Sequence, residues 1–148
     1  MASSNDVQGG LHTVADGQFA GWRTWVGSPF ETLIGPFYWR THADGTVSGA
    51  FLPQDKNTNY VGILHGGAVM TFADAAASTI ASFATGGPSV TVAFNSEFLG
   101  AGVAGVPIYA SGRVVRATKS MVFVQGQLDQ NDQPILAYSS VAKKLTPR

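Results

Sequence analysis

Residues 66–85, GGAVMTFADAAASTIASFAT, constrain the fold of this chain more than any other stretch. They are long enough for roughly five helical turns and carry one charge, Asp74. The stretch opens at His65-Gly66-Gly67 and closes at Gly86-Gly87-Pro88, where glycine and proline stop a helix. With Val69 as origin and about 100° per residue, Phe72, Ala76, Ile80 and Phe83 fall within about 60° of it. That stripe predicts the core face, with Ala73, Ala77 and Ala84 beside it for close packing. Asp74 falls about 140° away, among Thr71, Ser78, Ser82 and Thr85. One reading of this side is a plain solvated face. Solvated faces, however, are ordinarily built from Lys, Glu and Arg, and this one has small hydroxyls, alanines and Met70. It reads as a face that meets protein, another subunit above all. An acid held there is partly desolvated and more basic, which makes it a candidate functional group.

The rest of the chain looks extended. ETLIGPFYWRTHADGTVSGAFLPQ reads as two strands around the turn HADG. After the helix come SVTVAFNSEFL, PIYASGRVVRA, SMVFVQGQLD and PILAYSSVAKKL, broken at TK and QNDQ. In the first of these, Val90, Val92 and Phe94 are expected on one face, with Thr91, Ala93 and Asn95 on the other. Strands on both sides of one long helix predict an α+β fold, an antiparallel sheet with the helix on its face. Residues 1–29 are expected as an N-terminal segment, loose to about residue 17. A short helix or turn in QFAGWRTWVGSPF then packs its aromatics. Residues 30–148 are expected as the domain.

Composition narrows the function classes. A chain of 148 residues suits one domain. Charged residues make up 12%, about half the usual quarter, so part of the surface is expected to lie against other subunits. The formal net charge is zero, and nothing basic enough to track nucleic acid or a membrane surface is present. The apolar stretches read as too short, and too broken by Gly and Thr, to cross a bilayer. No charged segment followed by an apolar run opens the chain, so no signal peptide is expected. Cysteine is absent, which removes disulfides and thiolate chemistry and fits a reducing compartment; a cytoplasmic location is expected. His12, His42 and His65 lack ligand spacing, so no metal is expected, and no cofactor either. There is no Gly-x-Ser-x-Gly elbow, Walker sequence or dinucleotide glycine pattern.

His65-Gly66-Gly67 stands at a helix start, where unpaired N–H groups and positive potential collect. Glycine lets a ligand atom approach such a backbone, which can hold a phosphate or a developing oxyanion. The alternative is a plain turn into the helix, with His65 bonding the loop. The set gains force together: donors at the helix start, an acid two turns on and Asn59 just upstream.

These residues, NYVGILHGGAVMTFAD, resemble the signature of the hotdog-fold acyl-CoA thioesterases, nearest to the phenylacetate-pathway (PaaI-like) type. Asn59, Gly62, His65, Gly66, Gly67 and Asp74 stand in register, and Thr91 matches a Ser or Thr position downstream. The likeness spans roughly residues 30–145. It implies a sheet wrapped around one long helix, subunits paired edge to edge into homodimers that form homotetramers, and an active site shared between subunits. It implies an acyl-CoA substrate, with Asp74 as general base or nucleophile and the Gly66 N–H polarising the thioester carbonyl. Asn59 and Thr91 would orient water or the acid, and His65 would fix the loop or help polarise the carbonyl. Gly67 would contact substrate, and Arg116 and Lys119 would meet CoA phosphates. Two alternatives are a non-catalytic acyl-CoA binder and a hotdog dehydratase or hydratase. The second lacks its acid, since Thr79 stands fourteen residues after His65. The acyl group stays open, with Phe30, Phe37, Tyr38 and Tyr60 as aromatics that could line its pocket.

Overall fold

The computed structural model describes residues 10–146. In chain order it runs β1 (Gly10–Thr13), β2 (Arg23–Val26), α1 (Pro29–Ile34), β3 (Phe37–Thr41) and β4 (Val47–Phe51). A 3-10 turn (Asp55–Asn57) leads into α2 (Gly66–Thr85), followed by β5 (Ser89–Phe98), β6 (Ile108–Ala117), β7 (Met121–Gln130) and β8 (Gln133–Lys144). The strands make one antiparallel sheet in the order β1-β2-β3-β4-β6-β7-β8-β5. The α+β class follows from this arrangement, and α2 has the bounds read from the sequence.

The sheet wraps α2. Phe72 is fully buried, its ring centroid 5.0 Å from Phe37, 5.5 Å from Phe51 and 6.0 Å from Trp39. Ala73, Ala76, Ala77 and Ala81 are buried as well, against Ile108, Val122, Val124, Leu128 and Leu136 of the sheet. Alanine at these positions lets strands approach the helix backbone closely. Gly86 ends α2 in the left-handed region, at φ 74°, which a side chain would oppose. By length and composition α2 could cross a membrane, contrary to the sequence expectation. Its apolar surface is instead used inside the sheet.

Three further expectations change. The N-terminal segment, expected to be loose to about residue 17, forms the β1–β2 hairpin, Gly10↔Val26 to Thr13↔Arg23, around a turn at residues 18–21 that packs Phe19 against Trp22 and Tyr38; its first nine residues lie outside the described ones. The short helix is α1, astride the expected boundary at residue 29, so ETLI is helical and not the start of a strand. Pro29 in its first turn lacks only an N–H that a helix start leaves unpaired anyway. Finally, a bulge between Thr91 and Ala93 shifts the β5–β8 register. Val90 and Val92 therefore face outward, 46% and 50% exposed, while Phe94 turns inward to stack on Tyr138. A bulge reverses the alternation that an unbroken strand would keep.

If the aromatic cluster anchors the sheet on α2, Phe72→Ala should cost about 3–5 kcal/mol. Urea unfolding followed by tryptophan fluorescence measures it; a loss below about 1 kcal/mol would show that the cluster collapses around the gap.

Candidate active site

The loop before α2 is tied down at several points. Asn57, 3% exposed, uses its amide to bond the Ile34 carbonyl at 2.9 Å and to accept from the Gln54 N–H at 2.9 Å. Its own carbonyl accepts the His65 N–H at 2.8 Å. Lys56 donates to the Leu33 carbonyl at 2.9 Å, so α1 is fixed to the same loop. Asn59 folds the next turn, its side-chain oxygen accepting from Val61 at 3.1 Å and Ile63 at 3.3 Å. His65 is the N-cap of α2, and its Nδ1 accepts the Gly67 N–H at 2.8 Å. The cap uses Gly67 and leaves the Gly66 N–H without a partner among the described residues. Gly66 lies in a cavity of about 460 Å³ with Asn59, Val69 and Phe98. A Cβ on Gly66 would stand 3.1 Å from the Phe98 ring.

Asp74 sits two turns further along α2, half-buried. The Thr91 hydroxyl donates to it at 2.7 Å, and Ser78 Oγ lies 3.4 Å from Thr91 Oγ1. The β5 bulge begins at Thr91, so the strand turns this hydroxyl toward the helix while its valines face out. Eight residues separate Gly66 from Asp74, or about 12 Å along the helix axis. One small group cannot touch both within a single subunit.

A second cavity, of about 700 Å³, opens along the residues that follow Asp74 on α2. The β1–β2 hairpin supplies Leu11, Arg23, Trp25 and Val26, and α2 supplies Ala75, Ser78, Ser82 and Phe83. Phe83, expected in the core stripe, is 37% exposed here. The pocket aromatics are thus Trp25 and Phe83. Of the expected ones, Phe37 is in the core, Tyr38 stacks on Phe19, and Phe30 and Tyr60 are 60% and 101% exposed. Glu31 of α1 also lines this cavity. Burial, and then the charge of Asp74, push its carboxyl up from the ordinary glutamate value. Arg116 and Lys119 are exposed, and neither shares a cavity with Gly66 or Asp74. Arg116 instead lines a groove on the outer sheet face with Val115 and Phe123.

Sequence reasoning missed Asn57, Ser78 and Glu31. Ser78 had a readable signal, four residues after Asp74 on one helix face. Asn57 and Glu31 had none, since only tertiary packing buries them. No group of three acidic or histidine side chains able to hold a metal occurs among the described residues.

Residues 61–137 match the thioesterase superfamily, and the chain belongs to it. It is 30% identical to human acyl-coenzyme A thioesterase 13 over 101 residues, 67% of this chain and 71% of that one. Its fold is similar to that of the Escherichia coli PaaI protein from the phenylacetic acid degradation operon, with a TM-score of 0.73 at 17% identity over 81% and 86% of the two chains. A Streptococcus mutans protein solved with acetyl-CoA bound gives 0.68 at 24% identity, over 76% of this chain and 90% of that one. One sheet around one central helix is the hotdog fold of these neighbours.

If His65 serves as the cap, His65→Ala should lower stability by about 1 kcal/mol, and His65→Asn, which can cap, should restore most of it. Urea denaturation of the two variants and the parent tests this; equal losses in both would rule the cap out.

Proposed function

We propose that this protein hydrolyses acyl-CoA thioesters to the free acid and CoA, in a site that takes Asp74 from one subunit and the Gly66 helix start from another. The observation that carries the reading is the distance of about 12 Å between the free N–H and the acid on one helix. Both groups suit thioester hydrolysis, and only a second copy can bring them to one carbonyl. The β5 edge supports such a pairing. It ends the sheet and has no partner strand on its outer side among the described residues. Edge-to-edge pairing of two copies there is the proposed dimer contact. The outer groove, with Val115 and Phe123 46% and 38% exposed, is the proposed second contact that makes a tetramer.

The chemistry follows from the groups. The Gly66 N–H, at the positive end of α2, hydrogen-bonds the thioester oxygen and gains strength as negative charge develops there. Asp74, held by Thr91, takes a proton from water as the water oxygen attacks the carbonyl carbon. The tetrahedral intermediate collapses, the C–S bond breaks, and the proton passes to the departing thiolate. Asn59 shares the Gly66 cavity and can hold the water or the carbonyl. His65 keeps the loop in place through its cap, with its Nδ1 engaged on Gly67. The cavity walled by Trp25, Leu11, Val26 and Phe83 suits the acyl group. Arg116 and Lys119 reach CoA phosphates only from a neighbouring subunit, which is the role proposed for them.

Asp74→Asn should lower kcat by ~10²-fold or more while leaving the fold intact. Gly66→Val should do the same by filling the oxyanion position. The shared site makes a sharper demand. Co-folding the two inactive variants should recover about a quarter of parental activity, since half the dimers are mixed and each has one intact site. Thiol release from the mixture, followed with a panel of acyl-CoA esters, reads this. No recovery in mixtures shown by mass spectrometry to contain mixed dimers would place the whole site within one subunit.

A further inference from the structure

Arg23 is a cation of the acyl cavity to which the proposed reaction gives no task. It stands on β2 opposite Trp39 of β3, which is 2% exposed and packs its ring toward Phe72 of α2. Residues opposite each other on paired strands share a face of the sheet, and so do residues two apart on one strand. Trp25, two residues after Arg23, packs against the core. Both neighbours therefore put Arg23 on the inner face. Arg40, next after Trp39 and so on the outer face, stands 4.7 Å over the ring of Trp22 instead. The inner face at Arg23 opens on the 700 Å³ cavity, with Leu11, Trp25 and Val26 of the hairpin and Phe83 of α2. Among the described residues Arg23 makes no side-chain hydrogen bond and no ion pair, and Glu31 shares its cavity without reaching it. A guanidinium stays charged and carries five donors in a fixed fork. Turned inward among apolar groups with no counter-ion, it carries a desolvation cost that an entering anion relieves.

We propose that Arg23 is a specificity-determining residue of the acyl pocket, and that it selects acyl groups ending in a carboxylate, the half-thioesters of dicarboxylic acids. The inference rests on the hydrolytic reading above and on its placement of the acyl group in this cavity. From Ala75 to Phe83, α2 lines the cavity over about 12 Å. A thioester carbonyl attacked at Asp74 leaves its chain along this wall, between Phe83 and the hairpin side chains. A terminal carboxylate then meets the Arg23 fork in two parallel N–H···O bonds, whereas a terminal methyl leaves the charge unmet. An acyl-CoA also brings phosphates, but these lie at the other end of the long CoA arm from the carbonyl. Arg23 shares its cavity with Ala75 and Ser78, within about a turn of Asp74. Glu31 is the acid on this wall. Burial, and then the charge of Asp74, raise its carboxyl, so it gives up its charge more readily than an ordinary glutamate and opposes an incoming anion less.

The test compares thiol release from pairs of esters that differ at the chain end alone: glutaryl- and pentanoyl-CoA, adipyl- and hexanoyl-CoA, suberyl- and octanoyl-CoA. The parent's kcat/KM should favour the carboxylate-ended member of at least one pair by about 10-fold or more. Arg23→Met should abolish that preference, mainly through KM, and Arg23→Lys, which keeps the charge without the fork, should retain part of it. A parent without the preference, or an equal fall on both members of every pair in Arg23→Met, overturns the proposal. If that equal fall disappears with pantetheine thioesters, which lack the phosphates, Arg23 serves a CoA phosphate instead. Independently of turnover, free glutarate, adipate or suberate should change the parent's tryptophan fluorescence saturably, since Trp25 lines the cavity. The affinity should fall about 10-fold or more in Arg23→Met, and identical titrations of the two proteins overturn the anion site. Absence of thiol release from the parent with every ester overturns the hydrolytic reading beneath it, whatever the dicarboxylate titrations give.

Discussion

A twenty-residue helix with one charge cannot offer water a charged face. Everything else in the fold answers to that constraint. The sheet bends around α2 because ordinary packing on one side would leave too much of it wet. Alanines permit the bending, since at Ala73, Ala76, Ala77 and Ala81 the strands can come close to the helix backbone. Large aromatics then fill the one region where the sheet stands off, around Phe72. The same enclosure determines where chemistry can happen. The helix start, held open by glycine, the hydroxyl-lined side around Asp74 and the last turn around Phe83 escape the packing.

The start and the middle of that helix do different jobs for one physical reason. A helix start has unpaired donors and positive potential, and His65 uses the second of its donors while leaving the first free. Further along, the backbone is self-satisfied and only side chains can act, so an acid is placed there with a hydroxyl to hold it. Rigid spacing along the helix keeps these functions apart within a subunit. The arrangement is stiff as well as separate, since Asn57 ties the loop to α1 and to His65 at once.

Much of this was legible in the sequence, for reasons that can be stated. The α2 bounds follow from glycine at both ends and a 3.6-residue apolar period. The HADG and QNDQ turns were legible because tight turns need particular residues; Asn131 and Asp132 both adopt positive φ. The proposed roles of Asn59, Gly66 and Asp74 come from likeness to a family. What escaped depends on contacts between distant segments. Nothing local announces the bulge after Thr91 that turns Val90 and Val92 outward. Trp25 and Phe83 become pocket walls only when the β1–β2 hairpin comes to lie near the far end of α2. Glu31 reads as a surface acid until α1 is seen seated beside α2.

The open edge of β5 has a consequence for the newly made chain. On the side away from β8, its ten residues have no strand beside them among the described residues, and Val90 and Val92 are exposed along it. Such an edge recruits whatever strand it meets first. If the proposed edge-to-edge dimer forms, a newly made protomer runs a race between that pairing and indiscriminate β-stacking. Synthesis rate, dilution and temperature decide the winner. Substitutions along Ser89–Phe98 would then register first as lost soluble protein, well before any assay could register them as lost chemistry.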